Sequence, residues 1–191
     1  MILMPSEFFI NQRKKIAKEY LNDCNVILDL GCGPGRFLDI FHEKTVIGLE
    51  KNIKKIKKTQ RRFLINGDAN SLPFKNAVFD GVLCTEVLEH IKNYKKVINE
   101  IGRITKLKGK ILITTPNKKY EFYKNFLAWM KLWPHKYDKW ISTDSLIKVC
   151  KKNFNVSVSG IFPVNLLGLE KLLANYLGKY SETVVLKLKK L

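Results

Sequence analysis

Long apolar runs, paired cysteines and acidic residues are all scarce in this sequence of 191 residues. Charges interrupt every apolar run well before the ~20 residues that a transmembrane helix needs. The four cysteines (24, 32, 84 and 150) form no C-x-x-C pair, which argues against a zinc knuckle, a thioredoxin-type site or a disulfide framework, and no metal site is predicted. Residues 1–15 lack the order of a signal peptide, so we expect a cytoplasmic protein.

Asp and Glu number 17 against 35 Lys and Arg, which gives a formal net charge of +18. One interpretation is a polyanionic partner such as nucleic acid, because a positive field attracts polyanions. The other is a lysine-rich composition spread over a solvated surface, which we favour because only 5 of the basic residues are arginine and base readout favours arginine. A basic cluster at 54–62 leaves both interpretations open.

Strand and helix patterns alternate along the first part of the chain, whose length suits one domain. After an amphipathic helix at 6–21, apolar runs predict strands at 26–30, 45–50, 63–66, 77–84 and 110–115. Helical spacing lies between them at 36–41, at 52–60 and in a helix ending near Gly109. Beyond Pro116 the patterns predict a helix at 142–152 with Thr143 as N-cap, a strand at 154–162, a helix at 166–178 and a strand at 183–191. This order predicts one doubly wound α/β fold.

The most informative segment is Leu28–Gly35 (LDLGCGPG), where a buried strand enters a turn containing three glycines. Glycines there let the backbone approach a ligand closely. A P-loop is excluded because no Gly-Lys-Ser/Thr occurs, and a G-x-G-x-x-G fingerprint fails because Arg36 stands where its third glycine belongs. Asp29 precedes the turn, where it would repel a pyrophosphate but suit a ligand with an amino group.

This segment resembles motif I of the class I S-adenosylmethionine-dependent methyltransferases. In that family the loop wraps the methionyl part of the cofactor, and the acid helps to hold it. The resemblance implies S-adenosylmethionine as cofactor and a Rossmann-like, seven-stranded, mostly parallel sheet with an antiparallel C-terminal strand. The cofactor-binding residues that it implies in this turn are Asp29, Gly31, Cys32, Gly33 and Gly35.

Other segments extend the resemblance from about residue 26 to about residue 115. Glu50, 19 residues after Gly31, ends the second predicted strand, where a carboxylate suits both ribose hydroxyls; its neighbour Lys51 is included in the site. In the family an acid placed like Asp68 accepts the adenine amine, and the backbone of Ala69 would contact the ring.

The segments 72–74 (LPF) and 79–80 (FD) match the family's approach to its fourth strand, and 84–91 (CTEVLEHI) matches the segment that follows. The resemblance places Cys84 and Thr85 beneath the methionine of the cofactor. Residues 107–110 read Leu-Lys-Gly-Lys where the family often has Leu-Lys-Pro-Gly-Gly, and we expect no functional consequence.

Past residue 116 the resemblance is looser, with a layout similar to the quinone-biosynthesis branch of the family. We expect one methyltransferase domain over 1–191, with an N-terminal helix in 1–24, a cofactor-binding half in 25–115 and an acceptor-side half in 116–191. The aromatic stretch 118–140 is either a lid over the acceptor or a helix packed on the sheet edge.

Methyl transfer needs a base only if the acceptor must lose a proton. The candidates are His135, in the aromatic stretch, and His90, which either faces the acceptor or bonds its own helix; His42 is expected at the surface. We favour a small-molecule acceptor, methylated on O, N or C. A macromolecular substrate (RNA or protein) and a non-catalytic cofactor-binding scaffold are the alternatives.

Overall fold

The computed structural model describes residues 6–56, 63–129, 140–161 and 181–191. A seven-stranded sheet runs through them in the order β3-β2-β1-β4-β5-β7-β6. Its strands are β1 Val26–Leu30, β2 Thr45–Glu50, β3 Leu64–Asn66, β4 Phe79–Thr85, β5 Thr105–Pro116, β6 Phe154–Ile161 and β7 Thr183–Lys190. Neighbours among β1 to β5 pair in parallel, whereas β7 is antiparallel to both β5 and β6. The predicted fold is therefore confirmed.

The described helices are α1 Ser6–Tyr20, α2 Ile53–Ile56, α3 Tyr94–Ile104, α4 Glu121–Trp129 and α5 Thr143–Cys150. Short 3₁₀ turns stand at Leu38–Ile40, Leu88–His90 and Lys118–Tyr120. No helix within the described ranges combines the length and apolarity needed to cross a membrane.

Two apolar cores lie on opposite faces of the sheet, because successive strand side chains point to opposite faces. Val82 and Cys84 of β4 join the core that includes residues of α3 and α5, whereas Leu83 between them joins the core that includes residues of α1. The buried strands β1, β4 and β5 therefore read as continuous apolar runs.

Some predicted boundaries are wrong. The helix predicted at 36–41 is only the turn Leu38–Ile40. The helix α3 ends at Ile104 and not near Gly109, because β5 already begins at Thr105, whose hydroxyl donates to the carbonyl of Ile101 at 2.6 Å. The N-cap of α5 is Ser142, and Thr143 is the first helical residue. The helix predicted at 166–178 lies outside the described residues.

Candidate functional site

The carboxyl ends of the parallel strands meet at one edge of the sheet, and the glycine turn after β1 lies there. Gly31, Gly33 and Gly35 all have positive φ, at 72°, 54° and 82°. A Cβ on Gly31 would lie 2.4 Å from Cγ2 of Val87, whereas a Cβ on Gly33 would meet nothing within 4 Å. The turn thus packs tightly on one side and leaves open space on the other, which suits close approach of a ligand to the backbone.

Glu50, the last residue of β2, is tied to this turn. Its Oε2 accepts from the backbone N–H of Gly33 at 3.0 Å, and its Oε1 accepts from the N–H of Asn52 at 2.8 Å. The side chain is buried beside the open space at Gly33. A fixed carboxylate at this place can accept hydrogen bonds from a pair of hydroxyl groups.

Asp29 lies inside β1, between Gly48 of β2 and Leu83 of β4 in register, and only 1% of it is exposed. No group in the described part of the chain donates to its Oδ2. Burial, and secondly the charge of Glu50, raise the pKa of Asp29 from 3.8 to about 7. A buried carboxyl oxygen without a partner is rare in folded proteins, so a ligand donor is expected here.

Asp68 follows β3 and is more exposed. Its Oδ2 accepts from Nζ of Lys51 at 2.8 Å, and its Oδ1 accepts from the backbone and side-chain amides of Asn70 at 2.8 and 2.9 Å. The Lys51 hydrogen bond, and then those from Asn70, lower the pKa of Asp68 to about 2. Ala69 beside it is buried. The carboxylate of Asp68 therefore stays ionised and can accept a hydrogen bond from a further donor, while Lys51 holds the carboxylate in place.

Arg103 of α3 fixes the segment 72–74. Its guanidinium donates to the backbone oxygens of Leu72 at 2.9 Å and Phe74 at 2.7 Å, and it pairs with Glu100 at 2.8 Å. Glu100 in turn accepts from the N–H of Leu72 at 2.8 Å. This network fixes the backbone of the segment, and Leu72 lies in the same apolar core as Ala69.

The end of β4 carries Cys84, which is fully buried, and Thr85, which is partly buried. Burial raises the pKa of Cys84 well above its ordinary value, so its thiol is a poor nucleophile. In the turn that follows, His90 lies on the exposed side and Glu89 is fully buried. The turn Leu88–His90 thus brings the carboxyl group of Glu89 into the interior and leaves the imidazole of His90 exposed.

The second predicted base, His135, lies outside the described residues. Sequence reasoning missed the buried Glu89, and it missed Arg13 of α1, whose Nη1 lies 3.4 Å from Oε1 of Glu86. A signal was present for Glu89: it follows the apolar pair Val87 and Leu88 in a segment where a buried charge needs a partner. Nothing in the pattern of α1 distinguished Arg13 from the basic residues around it.

None of the described side chains form a group of three or more His, Cys, Asp or Glu suited to a metal ion. The glycine turn and the three carboxylates Asp29, Glu50 and Asp68 stand instead at the ends of three adjacent strands. This fold and this site define the class of Rossmann-like proteins that bind a nucleoside-containing cofactor at the carboxyl edge of the sheet.

Comparison with known proteins narrows this class. Residues 28–113 match the model of a family described as a methyltransferase domain. These residues therefore carry the methyltransferase domain that the motifs predict.

An uncharacterized protein of Methanocaldococcus jannaschii is 39% identical over 133 residues, which cover 65% of this chain and 58% of that protein. A ubiquinone biosynthesis O-methyltransferase of Pelagibacter ubique is 25% identical over 155 residues, covering 73% and 64%. The chain spans about half the length of the first curated relatives it matches.

Among solved structures, an S-adenosylmethionine-dependent methyltransferase from Archaeoglobus fulgidus superposes with a TM-score of 0.71. The match covers 97% of this chain and 95% of that one at 19% identity. At this identity the likeness establishes the fold alone. It shows that the sheet and its flanking helices have the arrangement of a class I methyltransferase.

Proposed function

We propose that the protein transfers a methyl group from S-adenosylmethionine to a small-molecule acceptor. The observation that carries this proposal is the placement of Asp29, Glu50 and Asp68 around the glycine turn of a methyltransferase domain. The three carboxylates lie on or just after neighbouring strands, so one extended ligand with three separate donor groups can contact all of them.

The residues fit the cofactor. The unpartnered Oδ2 of Asp29 is suited to accept a hydrogen bond from the cofactor's amino group, either directly or through water. The open space at Gly33 is suited to close approach of the cofactor to the backbone of the turn. Glu50 retains acceptor capacity for the ribose hydroxyls beside its bond to Gly33. We assign Asp68 and Ala69 to the adenine.

When bound, S-adenosylmethionine supplies a methyl group that is already activated on a sulfonium. The chain therefore has to hold the acceptor in line with the bond to the methyl group, which lowers the entropic part of the barrier. It also has to exclude water, which strengthens the electrostatic interactions inside the site. Cys84 lines this edge without acting as a nucleophile. The catalytic roles of His90 and His135 stay predictions.

A small-molecule acceptor is favoured by two observations. One curated relative bears the name of an O-methyltransferase of ubiquinone biosynthesis. In addition, α4 follows β5 at the site edge and exposes Phe122, Phe126 and Trp129, with 86%, 48% and 79% of each residue exposed. These rings belong to the described part of the stretch 118–140, which we propose as the cover of an apolar acceptor; residues 130–139 of that stretch lie outside the described part.

The net charge of +18 favours a second candidate, an RNA or protein methyltransferase. Binding of RNA through lysines would weaken steeply with salt, whereas binding of a small neutral acceptor would not. A scaffold that binds the cofactor without turnover is the third candidate.

The test is transfer of a labelled methyl group from S-adenosylmethionine in an extract of the source organism, followed by separation into small-molecule, lipid, RNA and protein fractions. We expect label in the small-molecule or lipid fraction. Label in an RNase-sensitive or protein fraction would replace our first choice by the second candidate. No label, with calorimetric cofactor binding intact, would favour the scaffold.

A further inference from the structure

Nε of Arg13 is a buried donor that has no hydrogen-bond partner in the described part of the chain. Two other buried side-chain atoms there share this condition: Oδ2 of Asp29, assigned above to the cofactor, and Oε1 of Glu89. A guanidinium keeps its charge and can only donate. Because desolvation of a donor without a new hydrogen bond is costly, the unpaired Nε–H indicates a ligand group that accepts from Arg13.

Arg13 reaches the α1 side of the sheet near the end of β5. Its Nη1 lies 3.4 Å from Oε1 of Glu86, and the same oxygen accepts from the hydroxyl of Thr114 at 3.1 Å. Leu112, two residues earlier on β5, belongs to the core that includes residues of α1, so Thr114 points to that face as well. Glu89 contacts the next residue of β5, which points to the opposite face, and it takes no part in this site.

Glu86 is suited to orient Arg13 because its own position is fixed. Its backbone has a positive φ of 54°, and its N–H donates to the carbonyl of Thr114 at 3.0 Å, which anchors the turn after β4 to β5. The side chains of Arg13 and Glu86 are only 13% and 22% exposed, so water competes little for their contact. The guanidinium is therefore held in place before any ligand arrives.

This place lies on the side of the cofactor site that is left for the acceptor. The cofactor carboxylates stand at or next to the ends of β3, β2 and β1, and the assigned site for the amino group is on β1. In the strand order β3-β2-β1-β4-β5, the methionine end of the cofactor therefore lies toward β4 and β5. Val87, which follows Glu86, packs against Gly31 of the cofactor turn. Arg13 thus adjoins the cofactor site at the strands that the cofactor does not occupy.

The geometry and charge of the guanidinium favour a carboxylate. Nε and Nη2 lie on one edge of the planar group, whereas the contact with Glu86 uses Nη1. Parallel N–H groups on one edge match the two oxygens of a carboxylate. The contact of 3.4 Å with Glu86 is also longer than the ~2.8 Å of a strong charge-assisted hydrogen bond. The buried cation is therefore only partly neutralised by Glu86.

We propose that Arg13 binds a carboxylate of the methyl acceptor through its Nε and Nη2 edge, with Glu86 as the residue that orients the guanidinium. This inference rests on the proposed function and narrows its substrate class to small organic acids. An acid with an apolar body suits the aromatic cover proposed above, while its carboxylate pairs with Arg13. A phosphate dianion fits less well, because it would bring two negative charges close to Glu86.

The first experiment observes Arg13 directly and needs no cofactor. The chain has five arginines, so few Nε–H resonances appear in its ¹H–¹⁵N spectrum. The full chain is titrated at constant ionic strength with sodium benzoate and with benzamide, which has the same ring and a similar shape but no charge. We expect benzoate, and not benzamide, to shift the Nε–H resonance of Arg13. The resonance of Arg103, whose Nε already donates to Glu100 at 2.8 Å, should stay unchanged.

The Arg13 resonance is assigned by its absence in Arg13→Lys. If this variant fails to fold, as judged by its melting transition, single Lys substitutions at the other four arginines assign the resonance by elimination. The titration of the wild-type chain then decides the question without a variant at position 13.

Two variants with the same change of charge separate this site from a general attraction of anions. Arg13→Gln and Lys15→Gln each remove one positive charge from α1, and Lys15 is exposed. In the labelled-methyl assay, Arg13→Gln should raise by about ten-fold the amount of the small-molecule fraction that gives half-maximal transfer. Lys15→Gln should leave this amount unchanged. Cofactor affinity in calorimetry should be that of wild type in both variants, because neither side chain is assigned to the cofactor.

Three results would overturn this inference and leave the proposed function standing. They are a benzoate titration that leaves the Arg13 resonance unchanged, equal shifts with benzoate and benzamide, and the same half-maximal amount in Arg13→Gln and Lys15→Gln. Weaker cofactor binding in Arg13→Gln would also overturn it, since Arg13 would then support the cofactor site. Failure of the wild-type chain to bind S-adenosylmethionine in calorimetry would instead overturn the proposed function itself.

Discussion

Replacing Asp29 by Asn should change the pH dependence of stability in a way that few single substitutions can. Asn has nearly the same shape as Asp but cannot ionise. Asp29 is only 1% exposed and its pKa is raised from 3.8 to about 7. In the folded chain its carboxyl therefore binds a proton over a pH range in which the unfolded chain has already lost it.

The direction of the pH effect on stability follows from the number of protons that Asp29 binds in the folded and unfolded states. Between 3.8 and about 7 the native state holds more protons at Asp29 than the unfolded state does, so its contribution to stability decreases as pH rises through this window. The pKa change corresponds to about 4 kcal/mol when ionisation is complete in both states. Most of it develops between about pH 5 and about pH 8, where the expected loss is about 2 to 3 kcal/mol.

The measurement is urea unfolding of wild type and Asp29→Asn at about pH 5 and at about pH 8. Any cost of burying the N–H groups of the Asn amide is independent of pH, so it cancels in the difference between the two conditions. Titration of Glu89 cancels as well, because it is present in both proteins. We expect Asp29→Asn to gain about 2 to 3 kcal/mol relative to wild type on going from the lower to the higher pH.

A stability difference that is the same at both pH values, within about 0.5 kcal/mol, would refute the reasoning. It would mean that Asp29 is ionised throughout and already has a partner or a solvated environment. The remote substitution Glu43→Gln serves as control and should show no comparable pH-dependent gain.

The other predictions concern the turn and its supports. Glu50→Ala should weaken S-adenosylmethionine binding by about ten-fold or more in calorimetry, because the ribose hydroxyls lose a buried acceptor; unchanged affinity would remove Glu50 from the cofactor site. Gly31→Ala should destabilise the fold by about 3 kcal/mol, from its positive φ and the overlap with Val87, whereas Gly33→Ala should cost only about 1 kcal/mol and act mainly on cofactor affinity. Equal unfolding midpoints for the two would contradict this assignment. Arg103→Lys should lower stability by about 1 to 3 kcal/mol, since Lys cannot bridge the carbonyls that the guanidinium joins; a variant as stable as wild type would show that these hydrogen bonds are not needed.

Much of the cofactor half could be predicted from the sequence, because its signals are local. Apolar runs of strand length and the glycines after β1 depend on a few consecutive residues, and the register of parallel strands then brings Asp29, Glu50 and Asp68 to the same edge. The predicted strand bounds agree with the structure within two residues for β1 to β4. The early end of α3 was missed because Thr105 leaves the helix to pair with Phe79, a long-range contact.

The sequence by itself determined the order of elements, the methyltransferase resemblance and the candidate carboxylates for a cofactor, since each depends on residue type and short spacing. Only the tertiary structure decided which of Glu89 and His90 is buried, because a 3₁₀ turn directs Glu89 into the interior and leaves His90 exposed. It also brought Arg13 from α1 to Glu86, 73 residues away in sequence. That contact forms only when α1 packs on the sheet, so no local pattern could encode it.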